Sequence, residues 1–253
     1  MSKLISKNDF RDNCGFGLIA NINGKKSHTL LIKSIKALTS MTHRGAIGAD
    51  GKTGDGCGIL VDIDKDFFIN TLLKEQNIKI TDEFAIGQVF SKNNIEKDLK
   101  NIKKILKREN LILTAVRKVP TNEKILGDIA IECLPKIYQL YIQSSEKTFY
   151  EEQFETNLYQ ARKLIEEIHA DDEKFYFCSL SSNTIVYKGL MLPNAIQDFY
   201  LDLKSSKFKS SISVFHQRFS TNTHPRWHLA QPFRLLAHLS LIHISEPTRL
   251  AII

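Results

Sequence analysis

Apolar positions along this chain follow two periods, and the switches between them mark the elements. Asn13-Cys14-Gly15-Phe16-Gly17-Leu18-Ile19-Ala20 is a short apolar run that reads as a buried strand continuing to Asn23. Asn23-Gly24 is a strong hairpin signal and predicts a second short strand over 27–31. Leu31, Ile35, Leu38 and Thr42 then fall on one helical face, broadened by Ile32 and Met41, and Gly45 closes the helix, which leaves His43-Arg44-Gly45 at its end. Six of the twelve glycines lie between Gly45 and Gly58, so this loop must either wrap a ligand or pack backbone against backbone. Beyond it the pattern predicts strands over 58–63, 84–90, 111–116 and 129–134, with a helix carrying Ile95, Leu99, Ile102 and Leu106 on one face. A helix over 150–169 presents Phe154, Leu158, Ala161, Ile165 and Ile168, a stripe better suited to core contact than to a cofactor. Strands over 175–180 and 184–187 read as a hairpin across Ser181-Ser182-Asn183, and a last strand over 211–219 carries His216-Gln217-Arg218. No repeat or low-complexity linker interrupts residues 14–238, which are read as one unit.

Composition narrows the class. In 253 residues, 42% hydrophobic content supports a substantial core. No run of 18 apolar residues occurs, and residues 1–13 lack an apolar centre, so neither a membrane span nor a secretory signal is expected and the cytoplasm is the default. The four cysteines, Cys14, Cys57, Cys133 and Cys178, have no CxxC pairing, which argues against a zinc ribbon, an iron-sulfur motif or a disulfide framework. The net charge of +7 raises the possibility of a nucleic-acid partner. However, ten Lys/Arg against four Asp/Glu between Lys92 and Lys124 supply nearly all of it, on the polar side of one amphipathic helix with no aromatic interleaving. A solvated face explains the charge better than nucleic acid or a membrane.

Cys14 is the candidate for chemistry. A thiol at the start of a strand, flanked by Gly15 and Gly17, is open to close approach by a substrate. It reacts only as thiolate and needs a base, which its own strand does not offer. Cleavage between Asn13 and Cys14 would free an α-amino group, with a pKa of about 7.7–8.0, to activate the thiol, making residues 1–13 a propeptide. A buried structural cysteine near an uncleaved terminus is the alternative. Gly51-Lys52-Thr53 does not form a P-loop, because the first glycine of that pattern falls on Ala46 and the segment runs from helix to strand. Asp50 and Asp55 lack calcium-loop spacing. His224 and His228 are separated by Pro225 without a companion glutamate, so loop structure is favoured over zinc.

Taken together, Cys14-Gly15-Phe16-Gly17, His43-Arg44-Gly45-Ala46, Thr53-Gly54-Asp55-Gly56-Cys57-Gly58-Ile59-Leu60, the stretch from Ser179 to Gly189, and His216-Gln217-Arg218-Phe219-Ser220-Thr221-Asn222-Thr223 resemble the amino-terminal glutaminase domain of glutamate synthase large subunits. The order and spacing of these motifs match from Cys14 to His238; Phe16 and Cys57 replace the more usual valine and alanine. The resemblance implies a class II glutamine amidotransferase of α+β class: a four-layer αββα N-terminal-nucleophile hydrolase sandwich of two antiparallel sheets, here incomplete at its C-terminal end. It implies hydrolysis of L-glutamine to glutamate and ammonia, with Cys14 as nucleophile, Arg218 pairing with the substrate α-carboxylate, Arg44 buttressing the nucleophile, and Phe219 and Thr221 lining the pocket. No cofactor or metal is expected in this chain. FMN and an iron-sulfur cluster are implied for a synthase domain of the full-length protein, along with a possible small electron-donating subunit.

After His238 the family pattern of Asn-Gly-Glu, whose first two residues form the oxyanion hole in relatives, gives way to Leu239-Ser240-Leu241-Ile242-His243-Ile244-Ser245-Glu246-Pro247-Thr248-Arg249. This resembles translated sequencing adapter, and residues 239–253 are read as foreign to the gene. The competing functional readings are a purine-pathway class II amidotransferase, which would lack the TGDG stretch and the long insertion between Phe67 and Phe175, and a non-catalytic basic binding module.

Overall fold

The structure is a computed structural model and describes residues 15–146, 148, 150–169, 174–217 and 224–234. The proposed propeptide 1–13 and tail 239–253 lie outside them. Among the described residues eight strands form two antiparallel four-stranded sheets, and helices complete an α+β arrangement. The first sheet has the order β1 (Phe16–Ala20), β8 (Ile212–Gln217), β2 (Cys57–Asp62), β7 (Thr184–Gly189). The second has the order β4 (Leu111–Lys118), β5 (Lys136–Ser144), β3 (Ala85–Ser91), β6 (Phe175–Ser181).

α1 (His28–Ser40) begins one residue after Ser27, whose Oγ accepts the Leu30 amide at 3.2 Å. This cap replaces the expected second strand over 27–31. Gly24 does turn the chain, at φ +66°, but Ser27 makes only an isolated bridge to Ser210 before the helix starts. Leu31, Ile35 and Leu38 are buried as the periodicity predicts, in a core shared with Ile59, Val61 and Phe215 of the first sheet. A 3-10 turn, Thr42–Arg44, carries the chain on to Gly45.

One sequence expectation fails around residue 130. The apolar run over 129–134 is not a strand; α4 (Asp128–Glu132) occupies it. Its first amides are held from the glycine loop, where Asp50 Oδ2 accepts from Ile129 at 3.2 Å and Thr53 Oγ1 accepts from Ala130 at 3.2 Å. The strand lies immediately after, as β5, whose inner positions are occupied in part by Gln139 and Tyr141 rather than by aliphatic residues. A further helix, α2 (Lys65–Gln76), capped by Asp64 Oδ1 at 3.4 Å from the Phe67 amide, lies where no element was predicted; only Phe68 and Leu72 of it are fully buried.

The expected hairpin over 175–187 is also corrected. β6 pairs with β3 and β7 with β2, so the Ser181-Ser182-Asn183 turn carries the chain from one sheet to the other. Glu155 of α5 (Glu151–Ile168) pins this crossover, accepting from the Ser182 amide at 2.6 Å and from the hydroxyls of Ser181 at 2.9 Å and Ser182 at 2.7 Å. α5 and the basic helix α3 (Glu96–Arg108) cover the second sheet. Ile95, Ile102, Ile105 and Leu106 meet Phe154, Leu158, Ala161 and Ile165 in one apolar layer, and most of the α3 lysines stay on the solvent side. Ile168, predicted to extend the α5 stripe, is exposed.

Candidate active site

The site is built at one end of the first sheet. β1 starts at Phe16, and β8 runs antiparallel beside it with Phe16 opposite His216. The Gln217 amide donates to the Gly15 carbonyl at 2.5 Å, so the residue that follows Cys14 is tied to the residue that precedes Arg218. Gly15 is a steric requirement. A Cβ there would overlap the Gln217 carbonyl oxygen and stand 3.2 Å from Arg44 Cβ. Gly45 is the second close approach, since a Cβ on it would overlap the Gln217 side-chain nitrogen and come within 2.7 Å of Asp55 Oδ1. The three motifs that the sequence separates by up to two hundred residues therefore converge: the start of β1, the His43-Arg44-Gly45 turn with Asp55, and the end of β8.

Of the five candidate site residues, the structure describes Arg44, which is exposed at the end of its 3-10 turn and lies against Gly15. Cys14, Arg218, Phe219 and Thr221 lie outside the described residues. Gln217 is a site residue that sequence reasoning passed over. It is fully buried, and among the described residues neither polar atom of its side-chain amide has a hydrogen-bond partner. The strand alternation Ser213, Phe215, Gln217 on the buried face of β8 was the available signal.

The glycine loop resolves in favour of backbone packing. Asp50 Oδ1 accepts from the amides of Lys52 at 3.0 Å and Thr53 at 2.8 Å, and Thr53 Oγ1 donates to Asp50 Oδ2 at 2.6 Å. These bonds hold the Asp50 carboxyl well below the usual carboxylate range. The loop is then clamped on α4, and a Cβ on Gly54 would overlap the Met191 carbonyl oxygen. It orients Gly45 and Asp55 without needing a ligand of its own.

Two of the three described cysteines are poor nucleophiles. Burial raises the Cys57 thiol far above its ordinary value and pushes Cys178 up to about 12. Cys133 is exposed at the end of α4. Among the described residues no group of three or more His, Cys, Asp and Glu could hold a metal, and these three cysteines sit on different elements, so they do not fit an iron-sulfur cluster. His228 belongs to the segment 224–234, where its carbonyl oxygen accepts from Lys188 Nζ at 2.7 Å.

Arg117 forms a second polar centre, buried at 2% exposure in the second sheet. It gives a bidentate pair to Asp202 at 2.7 and 2.9 Å, another to Glu75 at 2.8 and 2.9 Å, and a bond to Gln139 at 2.9 Å. Those bonds occupy the guanidinium on all sides, which makes this a structural pin and not a binding group.

This geometry coincides with a family match. Residues 14–244 match the glutamine amidotransferases class-II family, and the chain belongs to that family. The match begins at Cys14 and runs six residues past His238. Among curated relatives, the ferredoxin-dependent glutamate synthase of Pyropia yezoensis is 41% identical over 245 residues, 94% of this chain and 16% of the relative. The glutamate synthase [NADPH] large chain of Azospirillum brasilense is 39% identical over 237 residues, 91% of this chain and 16% of the relative. The ferredoxin-dependent glutamate synthase of Cyanidium caldarium is 38% identical over 240 residues, covering 91% and 15%. The chain thus spans about one sixth of the length of these relatives. Among the described residues no helix is long and apolar enough to cross a membrane.

Proposed function

We propose that this chain is the glutaminase portion of a glutamate synthase large chain, which in its full length becomes active once residues 1–13 are removed and Cys14 becomes the N-terminus, and that the fragment as written is inactive because the oxyanion-hole residues expected after His238 are missing. The observation that carries the reading is the convergence of Arg44, Gly45, Asp55 and Gln217 at Gly15, the residue that follows Cys14, with the family match opening at Cys14 itself. In this reading the α-amino group of Cys14 takes the thiol proton, and the thiolate attacks the side-chain carbonyl carbon of L-glutamine. The C–N bond breaks and ammonia leaves with the proton, producing a thioester that water hydrolyses to glutamate. Arg218 pairs with the substrate α-carboxylate through its planar guanidinium, Phe219 and Thr221 line the pocket, and Arg44 supports Gly15 and so the nucleophile.

Ammonia then passes to 2-oxoglutarate in a synthase portion of the longer protein. FMN and an iron-sulfur cluster belong to that portion, since the described cysteines do not fit a cluster here. The relatives named above include ferredoxin-dependent and NADPH forms, so the reading covers an electron donor of either kind and a small donor subunit where one is needed. We place the protein in the cytoplasm, although a similar protein of Arabidopsis thaliana is named chloroplastic/mitochondrial. Residues 239–253 are read as foreign, which resequencing the gene past codon 238 tests directly.

The decisive experiment uses the enzyme with its coding sequence past codon 238 restored. Mass analysis of the mature N-terminus should find Cys14, and Cys14→Ser should abolish glutamine hydrolysis while leaving ammonia-dependent glutamate formation intact. Full glutaminase activity in protein that still carries residues 1–13 would overturn the mechanism.

A further inference from the structure

Lys188 of β7 is fully buried at 0% exposure, and among the described residues no carboxylate pairs with it. A buried ammonium requires compensation from its surroundings. Here its Nζ donates to the His228 carbonyl oxygen at 2.7 Å and contacts the Tyr176 hydroxyl at 3.4 Å. It also lies over two rings, 4.7 Å from the Tyr176 centroid and 4.5 Å from that of Phe233. Two of these four contacts, His228 and Phe233, come from the segment 224–234. That segment closely approaches the first sheet at two glycines of β2 and β7: a Cβ on Gly58 would overlap the Gln231 carbonyl oxygen, and one on Gly189 would overlap the Trp227 ring. Sheet register places Lys188 opposite Gly58, Gly58 opposite His216, and His216 opposite Phe16, so Lys188 stands at the same end of the sheet as the start of β1.

The chain stretch bearing Arg218, Phe219 and Thr221 connects β8 to this segment. We infer that Lys188 is a positioning residue for glutamine binding, tying segment 224–234 to the first sheet and so fixing the downstream anchor of the stretch whose upstream anchor is β8. The inference rests on the glutaminase reading. Only the charged form of a lysine is attracted to the two ring faces, and its stem packs like an apolar side chain, so the tether and the packing are separable. Facing groups on neighbouring elements are Tyr176 and Cys178 of β6 and Arg162 of α5, none of which can replace the cation's bond to His228.

Trp227 makes the inference testable, because it is the only tryptophan of the chain and sits inside the tethered segment at 4% exposure. Lys188→Met keeps the stem and removes the charge; Phe233→Leu keeps the charge and removes one ring. In the chain as it stands, both should make Trp227 more accessible to acrylamide and red-shift its emission, Lys188→Met more strongly, with melting temperatures held or raised in Lys188→Met because a buried charge is gone. In the restored enzyme, Lys188→Met should raise the glutamine KM about tenfold, equivalent to about 1.4 kcal/mol, with little change in kcat. Unchanged Trp227 quenching in both variants overturns the tether, and if Lys188→Met fails to fold, Phe233→Leu decides alone. Altered quenching with an unchanged KM overturns the role in glutamine binding. A wild-type enzyme without glutamine turnover sinks the glutaminase reading and this role with it, while the Trp227 comparison still decides whether the tether exists.

Discussion

Every residue of β3 and β6 is buried, whereas Phe16, Leu18 and Ala20 of β1 are exposed. The second sheet is covered on one face by α3 and α5 and shares its other face with the core that joins the sheets. The first sheet is covered fully on one face only, that of Phe215, Ile59, Val61 and Tyr187. Across its other face burial declines from Val186 and Lys188 on β7, through half-buried Leu60 and Val214, to Phe16 at 63% and Leu18 at 60% exposure. The closed sheet is scaffold, and the proposed site is built on the more open one, where Gly15, Arg44, Gly45 and Gln217 come together at one end.

The contrast predicts unequal responses to substitution. The largest belongs to the closed sheet: Arg117→Ala leaves Asp202 buried at 4% exposure without its cation. Breaking a buried pair from one side costs about 3–5 kcal/mol. Urea unfolding should show that loss, and a cost below about 1 kcal/mol would mean that the charge cluster is solvated in solution. At the open sheet's catalytic end, Gly45→Ala forces a methyl group into the space of the Gln217 amide. Overpacking of this kind costs about 1–3 kcal/mol, and glutamine turnover should fall with it because Gln217 is the partner of Gly15. A variant of full stability and full turnover would separate Gly45 from the site.

These same residues show how much was legible in sequence. Period and caps placed β1, α1, β2, β3, α3, α5 and β8 to within a few residues, because each combines an apolar stripe with a clear boundary. The central strand β5 was missed because Gln139, the partner of Arg117, occupies an inward position that alternation assigns to an apolar side chain. α4 was misread because its start depends on Asp50 and Thr53, more than 70 residues upstream. The crossover at Ser181-Ser182-Asn183 passed for a hairpin because the carboxylate that bends it, Glu155, is distant in sequence. Around the proposed site, strand alternation could have shown that Gln217 is buried, but its contacts and those of Lys188 are tertiary and leave no local pattern.

A smaller effect separates the two sheets by pH. Burial holds Lys188 down to about 8, against an ordinary lysine value of 10.5. The unfolded chain therefore keeps this proton through the window from pH 8 to 10.5 while the folded chain gives it up, so the unfolded state binds more protons and stability rises with pH there. The contribution is lost below pH 8, where both states are protonated. Lys65 is also held to about 8, and comparison with Lys188→Met cancels its share. Between pH 8 and pH 9 the unfolding free energy of the wild type should gain on that of Lys188→Met by up to about 1.4 kcal/mol. A constant difference would show that Lys188 keeps its charge in the fold.

The smallest stability effect is expected where the first sheet is open. Phe16 and Leu18 project from the edge strand β1 with more than half of their surface in solvent, beside half-buried Ile212 and Val214 on β8. Replacing them by threonine removes little buried area and introduces a β-branched residue suited to a strand, so Phe16→Thr/Leu18→Thr should change the unfolding free energy by less than about 0.5 kcal/mol per site. An uncovered apolar strip along an edge strand is, however, a template for self-association. Sedimentation at rising concentration should therefore show the wild-type chain associating and the double variant staying dispersed. A large loss of stability in the double variant would mean that β1 is packed on both faces in solution, and the difference between the two sheets would then disappear.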